Sequence, residues 1–114
     1  GLLTGKFTVS DTFPQGDFRR AWMDDPAQHE QFLRDLAIVD ELRGVVPDGQ
    51  SMGAFALRFV RSHPAVSTVI PGAKDRRQAK SNSAAGLQPL LSAEERAAVD
   101  GIVSPGGGRK IWPA

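Results

Sequence analysis

Between Val69 and Asn82 the chain reads VIPGAKDRRQAKSN, a β-branched strand end, a break at Pro71 and Gly72, and a helix opening with Lys74, Arg76 and Arg77. A chain that leaves a strand through glycine and enters a helix directly presents free backbone N–H groups. The helix dipole adds partial positive charge at the same point. Three cations around such a point suit a phosphate group. The same residues also fit an ordinary surface helix, with Asp75 as its cap, Gln78 in the capping-box position and the arginines solvated. A basic first turn opposes the dipole on either reading, so local chemistry leaves both open.

The elements that would position this segment are readable from caps and periodicity. Asp25 followed by Pro26 predicts a helix N-terminus, with Gln28 placed for a capping box. Phe32, Leu33, Leu36, Val39 and Leu42 then recur at helical spacing until Gly44, which predicts a helix over 26–43. Ser51 caps a second helix over 52–63, whose expected buried stripe is Met52, Phe55, Ala56, Phe59 and Val60 and which His63 and Pro64 close. Val66 to Ile70 predicts a short strand buried on both faces, of the kind found in parallel sheets. The basic helix then runs from Arg76 to about Ala85. Ser92 and Glu95 form a capping box for a last helix over 93–103. Residues 8–24, with Phe13, Phe18 and Trp22, read as a long loop with aromatic anchors, in which Arg19 and Arg20 are expected to be solvated. His29 falls on the polar side of its helix, and His63 suits the dipole at a helix end. A tail from Ser104 is expected to be flexible, with Trp112 packing elsewhere in the protein.

One strand among four helices has nothing to pair with, and buried backbone polar groups are nearly always paired. The segment therefore reads as cut from a larger α/β sheet or barrel. A length of 114 residues allows one domain or a piece of one, and the chain opens on Gly1 rather than methionine. Hydrophobic residues at 40% and charged residues at 24% are ordinary for a globular protein. A net charge of +1 gives no case for nucleic-acid binding, so any basic site must be local. No run approaches the roughly 18 apolar residues of a membrane span. The absence of cysteine removes disulfides, thiolate catalysis and cysteine–zinc sites, and fits the cytoplasm. No metal site is expected.

Four patches, in order, resemble the aldo-keto reductase superfamily: GLLTGKF at 1–7, DTFPQGDFRR at 11–20, SMGAFALRFVRSHPAVSTVIPGA at 51–73, and the helix carrying Gln78 and Asn82. The likeness is closest to the bacterial stress-type reductases, which are related to the potassium-channel β-subunits, and it maps onto the last third of a typical member. The resemblance implies an α/β fold, the C-terminal portion of a (β/α)8 TIM barrel, with residues 1–103 running from just beyond strand seven through the C-terminal helix. It implies NADP(H) as cofactor and a small carbonyl compound as substrate.

Residue by residue, the resemblance gives Lys6 a cofactor phosphate and Arg19 the pyrophosphate. Gly72 leaves room for the adenosine phosphate, Lys74 pairs with the 2′-phosphate, and Gln78 and Asn82 bind the 2′-phosphate or ribose region and the adenine edge. Relatives often carry glutamate where this chain has Ser81. The family's general acid is a tyrosine, and this chain contains none, so no catalytic residue is assigned to it. The alternatives are a non-catalytic cofactor-sensing or partner-binding protein of the same fold, and a small helical interaction module.

Overall fold

The computed structural model describes residues 1–103. Among them the segment expected as one long loop is partly helical. A 3₁₀ turn over Phe18–Arg20 leads directly into the single-turn helix α1 (Ala21–Asp24). Asp17 starts it: its side chain accepts the Arg19 N–H, satisfying a donor that an open helix start leaves free. Aromatic packing supplies the tertiary half of the cause. Phe13 and Phe32 are buried, Trp22 stacks on Phe32 with centroids 5.5 Å apart, and Phe13 meets Trp22 edge-on at 5.7 Å.

Helix α2 spans Pro26–Arg43, the range its caps and periodicity predict. The Asp25 side chain accepts from the N–H groups of Ala27 and Gln28, and proline occupies the first helical position, where no donor is needed. Helix α3 spans Met52–Arg61, capped by Ser51 accepting from Ala54, and ends two residues before the expected His63. The Ser62 hydroxyl donates to the Arg58 carbonyl, and the His63 ring accepts the Ala65 N–H, so the chain has already turned. Helices α4 (Arg76–Gly86) and α5 (Ala93–Ile102) follow, the latter with both halves of the Ser92–Glu95 capping box formed. His29, expected to be exposed without a partner, is half-buried with Nδ1 against the Trp22 carbonyl at 3.1 Å.

Val39 and Leu42 of α2, Met52 and Phe55 of α3, and Val99 of α5 form the core. The α3 stripe is only half realised. Phe59 and Val60 remain exposed, while Arg58, in register with Met52 and Phe55, is buried. A glycine is required at position 5, where φ is +69° and a Cβ would approach the Arg43 guanidinium to 2.9 Å. Arg43 donates to the Gly5 carbonyl, tying the chain's first turn to the end of α2.

The strand expected at Val66–Ile70 is not seen among the described residues. These residues are not paired as a strand, and Ile70 is 92% exposed rather than buried on both faces. A strand exists through its ladder, and no second strand lies among the described residues to complete one. The Ser104 tail and Trp112 fall outside the described residues.

Candidate functional site

The aromatic cluster places Arg19. Its guanidinium carbon lies 4.6 Å from the centre of the Phe13 ring, 5.6 Å from Phe7 and 5.8 Å from Phe18. Its edge is held by Asp17: Nε donates to Oδ1 at 2.9 Å and Nη2 to Oδ2 at 2.5 Å. Arg19 is therefore half-buried and paired, not solvated. Arg20 is likewise engaged, donating to Asp24 at 2.9 Å and to the Phe13 carbonyl at 3.3 Å. Lys6 stays exposed with its ammonium 4.9 Å from the Phe7 ring centre.

Electrostatics shows which of these groups share one neighbourhood. The Gly1 amine is held below its ordinary value, first by burial and then by the charges of Lys6 and Arg19. Asp17 is lowered to about 2, chiefly by the Arg19 side chain and then its backbone N–H, opposed by desolvation, with smaller help from the charges of Arg19 and Lys74. Lys74, in the turn before α4, contributes the smallest of these effects on Asp17. Arg76 and Arg77 lie on the exposed first turn of α4, in no ion pair among the described residues.

The Asp17 shift has a pH consequence. A carboxylate whose folded value is depressed contributes its stabilisation fully above its ordinary value of 3.8 and loses it as pH falls through about 2. NMR titration of the Asp17 carboxyl is expected to show a midpoint near 2, returning towards the ordinary value in an Arg19→Ala variant.

Within the turn, local hydrogen bonds fix the remaining candidates. Asp75 caps α4 by accepting the Gln78 N–H at 2.8 Å. The Gln78 side-chain oxygen accepts the Lys74 N–H at 2.9 Å, one residue short of a true capping box. One turn later, Asn82 Nδ2 donates to the Gly72 carbonyl at 3.1 Å. Gln78 and Asn82 therefore both brace the 72–74 turn. At Gly72 a Cβ would meet nothing within 4 Å, and φ is not in the left-handed region. Nothing in the chain's own packing demands glycine there.

Sequence reasoning passed over Arg58. It donates to Pro89 and Leu90 carbonyls at 2.9 and 3.3 Å, to Gln50 Oε1 at 2.9 Å, and to Glu95 at 2.9 and 3.1 Å. Arg61 adds bonds to the Ala85 and Gln88 carbonyls at 3.0 and 3.1 Å, and Arg96 one to the Ser62 carbonyl at 2.8 Å. Together these fasten α3 to the end of α4 and the start of α5. The available signal was a basic residue inside an apolar stripe.

Among the described residues no group of three His, Cys, Asp or Glu side chains could hold a metal ion, and no helix is long and apolar enough to cross a membrane. Neither the curated proteins nor the solved structures provide a match. A family model described as the aldo/keto reductase family matches residues 1–104. That family is one of TIM-barrel oxidoreductases that generally bind nicotinamide cofactors. With the match extending over nearly the whole sequence, this chain belongs to the aldo/keto reductase family.

Proposed function

We propose that the chain is the C-terminal, NADP(H)-binding part of a cytoplasmic reductase of aldehydes or ketones, of the branch that includes the bacterial stress-type enzymes and the potassium-channel β-subunits. Residues 1–103 then form the end of the barrel, from just beyond strand seven to the C-terminal helix. The carrying observation is the family match over residues 1–104, within which Arg19 is held by Asp17 among the Phe7, Phe13 and Phe18 rings. Val66–Ile70 supports the placement. A β-branched segment with an exposed Ile70 suits the barrel's last strand, whose neighbours lie elsewhere in the protein. Phe59 and Val60 on α3, exposed here, suit the packing of that helix on such a sheet.

Each residue has a role that follows from its place. Gly72 lets the backbone approach the adenosine phosphate, and Lys74 sets a charge beside the 2′-phosphate. Arg19, held at one edge by Asp17, offers the N–H groups of its other edge to the pyrophosphate. Lys6 adds a second cation. Gln78 and Asn82 keep the 72–74 turn open and border the ribose and adenine. The bound cofactor supplies the hydride. The proton that a forming alkoxide needs must come from a tyrosine outside this sequence, since the chain contains none.

The complete protein is expected to oxidise NADPH in step with aldehyde or ketone consumption, followed by loss of reduced-nicotinamide absorbance. The coding sequence upstream of Gly1 is expected to supply the tyrosine. Failure of the complete protein to bind any nicotinamide nucleotide overturns this reading.

A further inference from the structure

Helix α4 carries the 72–74 turn on its own side chains and is itself held from the far end. Gln78 accepts the Lys74 N–H at 2.9 Å and Asn82 donates to the Gly72 carbonyl at 3.1 Å, so the turn moves with the helix. Those two residues share one face with Ala85, at i, i+4 and i+7. Ala85, 1% exposed, is the one buried residue of α4, and an alanine contributes little apolar area. Apolar burial among the described residues therefore leaves the orientation of α4 weakly determined.

Polar ties supply what the packing lacks. The last carbonyls of a helix have no partner inside it. Arg61, the last residue of α3, donates from Nη1 to the Ala85 carbonyl at 3.0 Å and to the Gln88 carbonyl at 3.1 Å. A guanidinium there also meets the negative end of the helix dipole. Gln50, just before α3, donates to the Gln88 side chain, so residues at both ends of α3 hold the end of α4. Arg96 offers a comparison. It donates to the Ser62 carbonyl at 2.8 Å, one residue beyond Arg61, and its bond ties α3 to α5 instead of α4.

We propose that Arg61 is a positioning residue for the nucleotide site. It holds α4, and with it the 72–74 turn, at the angle that presents Gly72, Lys74, Gln78 and Asn82 to the bound dinucleotide. The proposal rests on the dinucleotide reading of that site. Arg61 bonds to Ala85 and Gln88, beyond Asn82 along the chain, so it acts through the helix rather than on the ligand. A helix transmits such a constraint because its backbone is bonded from turn to turn.

The test uses the complete protein, free of nucleotide for hydrogen–deuterium exchange over residues 72–82, and titrated with NADPH by fluorescence. Arg61→Met keeps the apolar stem and removes the donor, and Arg96→Met does the same for the tie to α5. Arg61→Met is expected to speed exchange over 72–82 and to weaken NADPH by roughly three- to thirtyfold, the range for residues coupled to a site they do not touch. Arg96→Met is expected to leave both near wild type. Arg61→Lys, which retains a donor nitrogen on a shorter stem, is expected to lie between wild type and Arg61→Met. Unchanged exchange or unchanged affinity in Arg61→Met overturns the proposal and leaves the dinucleotide reading in place. So do equal effects of Arg61→Met and Arg96→Met, which would mark a general loss of stability. Wild-type protein that binds no nicotinamide nucleotide overturns the dinucleotide reading itself, and the proposal with it.

Discussion

Lys74→Glu is expected to weaken NADPH binding by roughly ten- to a hundredfold while leaving NADH within a few-fold of wild type. A charge-assisted contact contributes roughly 1.5–3 kcal/mol, and each 1.4 kcal/mol is about a factor of ten. The two nucleotides differ in the 2′-phosphate alone, so a loss confined to NADPH locates that group beside Lys74. The backbone should be little disturbed. The Lys74 side chain is exposed, and its N–H bond to Gln78 does not depend on side-chain identity. One side effect has a known sign: Lys74 helps hold Asp17 deprotonated, so its reversal raises the Asp17 pKa modestly. Fluorescence titration of both nucleotides in the complete protein is the measurement. Equal losses for NADPH and NADH would show that Lys74 does not meet the 2′-phosphate.

Arg58→Ala is expected to cost roughly 3–5 kcal/mol of stability, the range for removing one member of a buried, hydrogen-bonded charge network. The side chain is 7% exposed and serves acceptors on three separate segments: Gln50, the carbonyls of Pro89 and Leu90, and Glu95. Truncation leaves those acceptors short of a donor and removes packing against Phe55, whose ring centre lies 5.9 Å from the guanidinium. Arg58→Lys is expected to recover only part of the loss. One ammonium cannot reproduce a planar fork that reaches both Glu95 oxygens and both carbonyls. Denaturant unfolding of the complete protein checks both variants. NADPH affinity measured below the unfolding range should stay near wild type, because Arg58 fastens α3 to α5 and touches none of the phosphate-site residues.

Local chemistry made much of this chain legible. Helix α2 has its predicted limits because Asp25, Pro26 and Gly44 act within a turn of themselves, and α5 begins at its predicted cap because Ser92 and Glu95 close a box over three residues. The resemblance of the VIPGAKDRRQAKSN segment and its three companion patches led to the family for the same reason: each patch is continuous in sequence.

What escaped was set by partners far away in the sequence. β-branched residues at 66–70 favour extension, yet a strand also needs a second chain segment to bond, and composition cannot supply it. The 3₁₀ turn at Phe18–Arg20 and α1 form because Phe13, Trp22 and Phe32 pack together across residues read as a loop. Arg58 was passed over because its partners, Glu95 and the Pro89 and Leu90 carbonyls, lie more than thirty residues away in sequence.

By itself the sequence determined the four longer helices, their N-terminal caps and the family, since spacing and capping act over a few residues. Tertiary structure alone decided that Arg19 is set among the Phe7, Phe13 and Phe18 rings, that Phe18 stands exposed beside it, and that Gly72 faces open space. The reason is physical. Charge, stacking and clearance depend on distance through space, and in residues 8–24 those distances are set by the packing of the aromatic cluster.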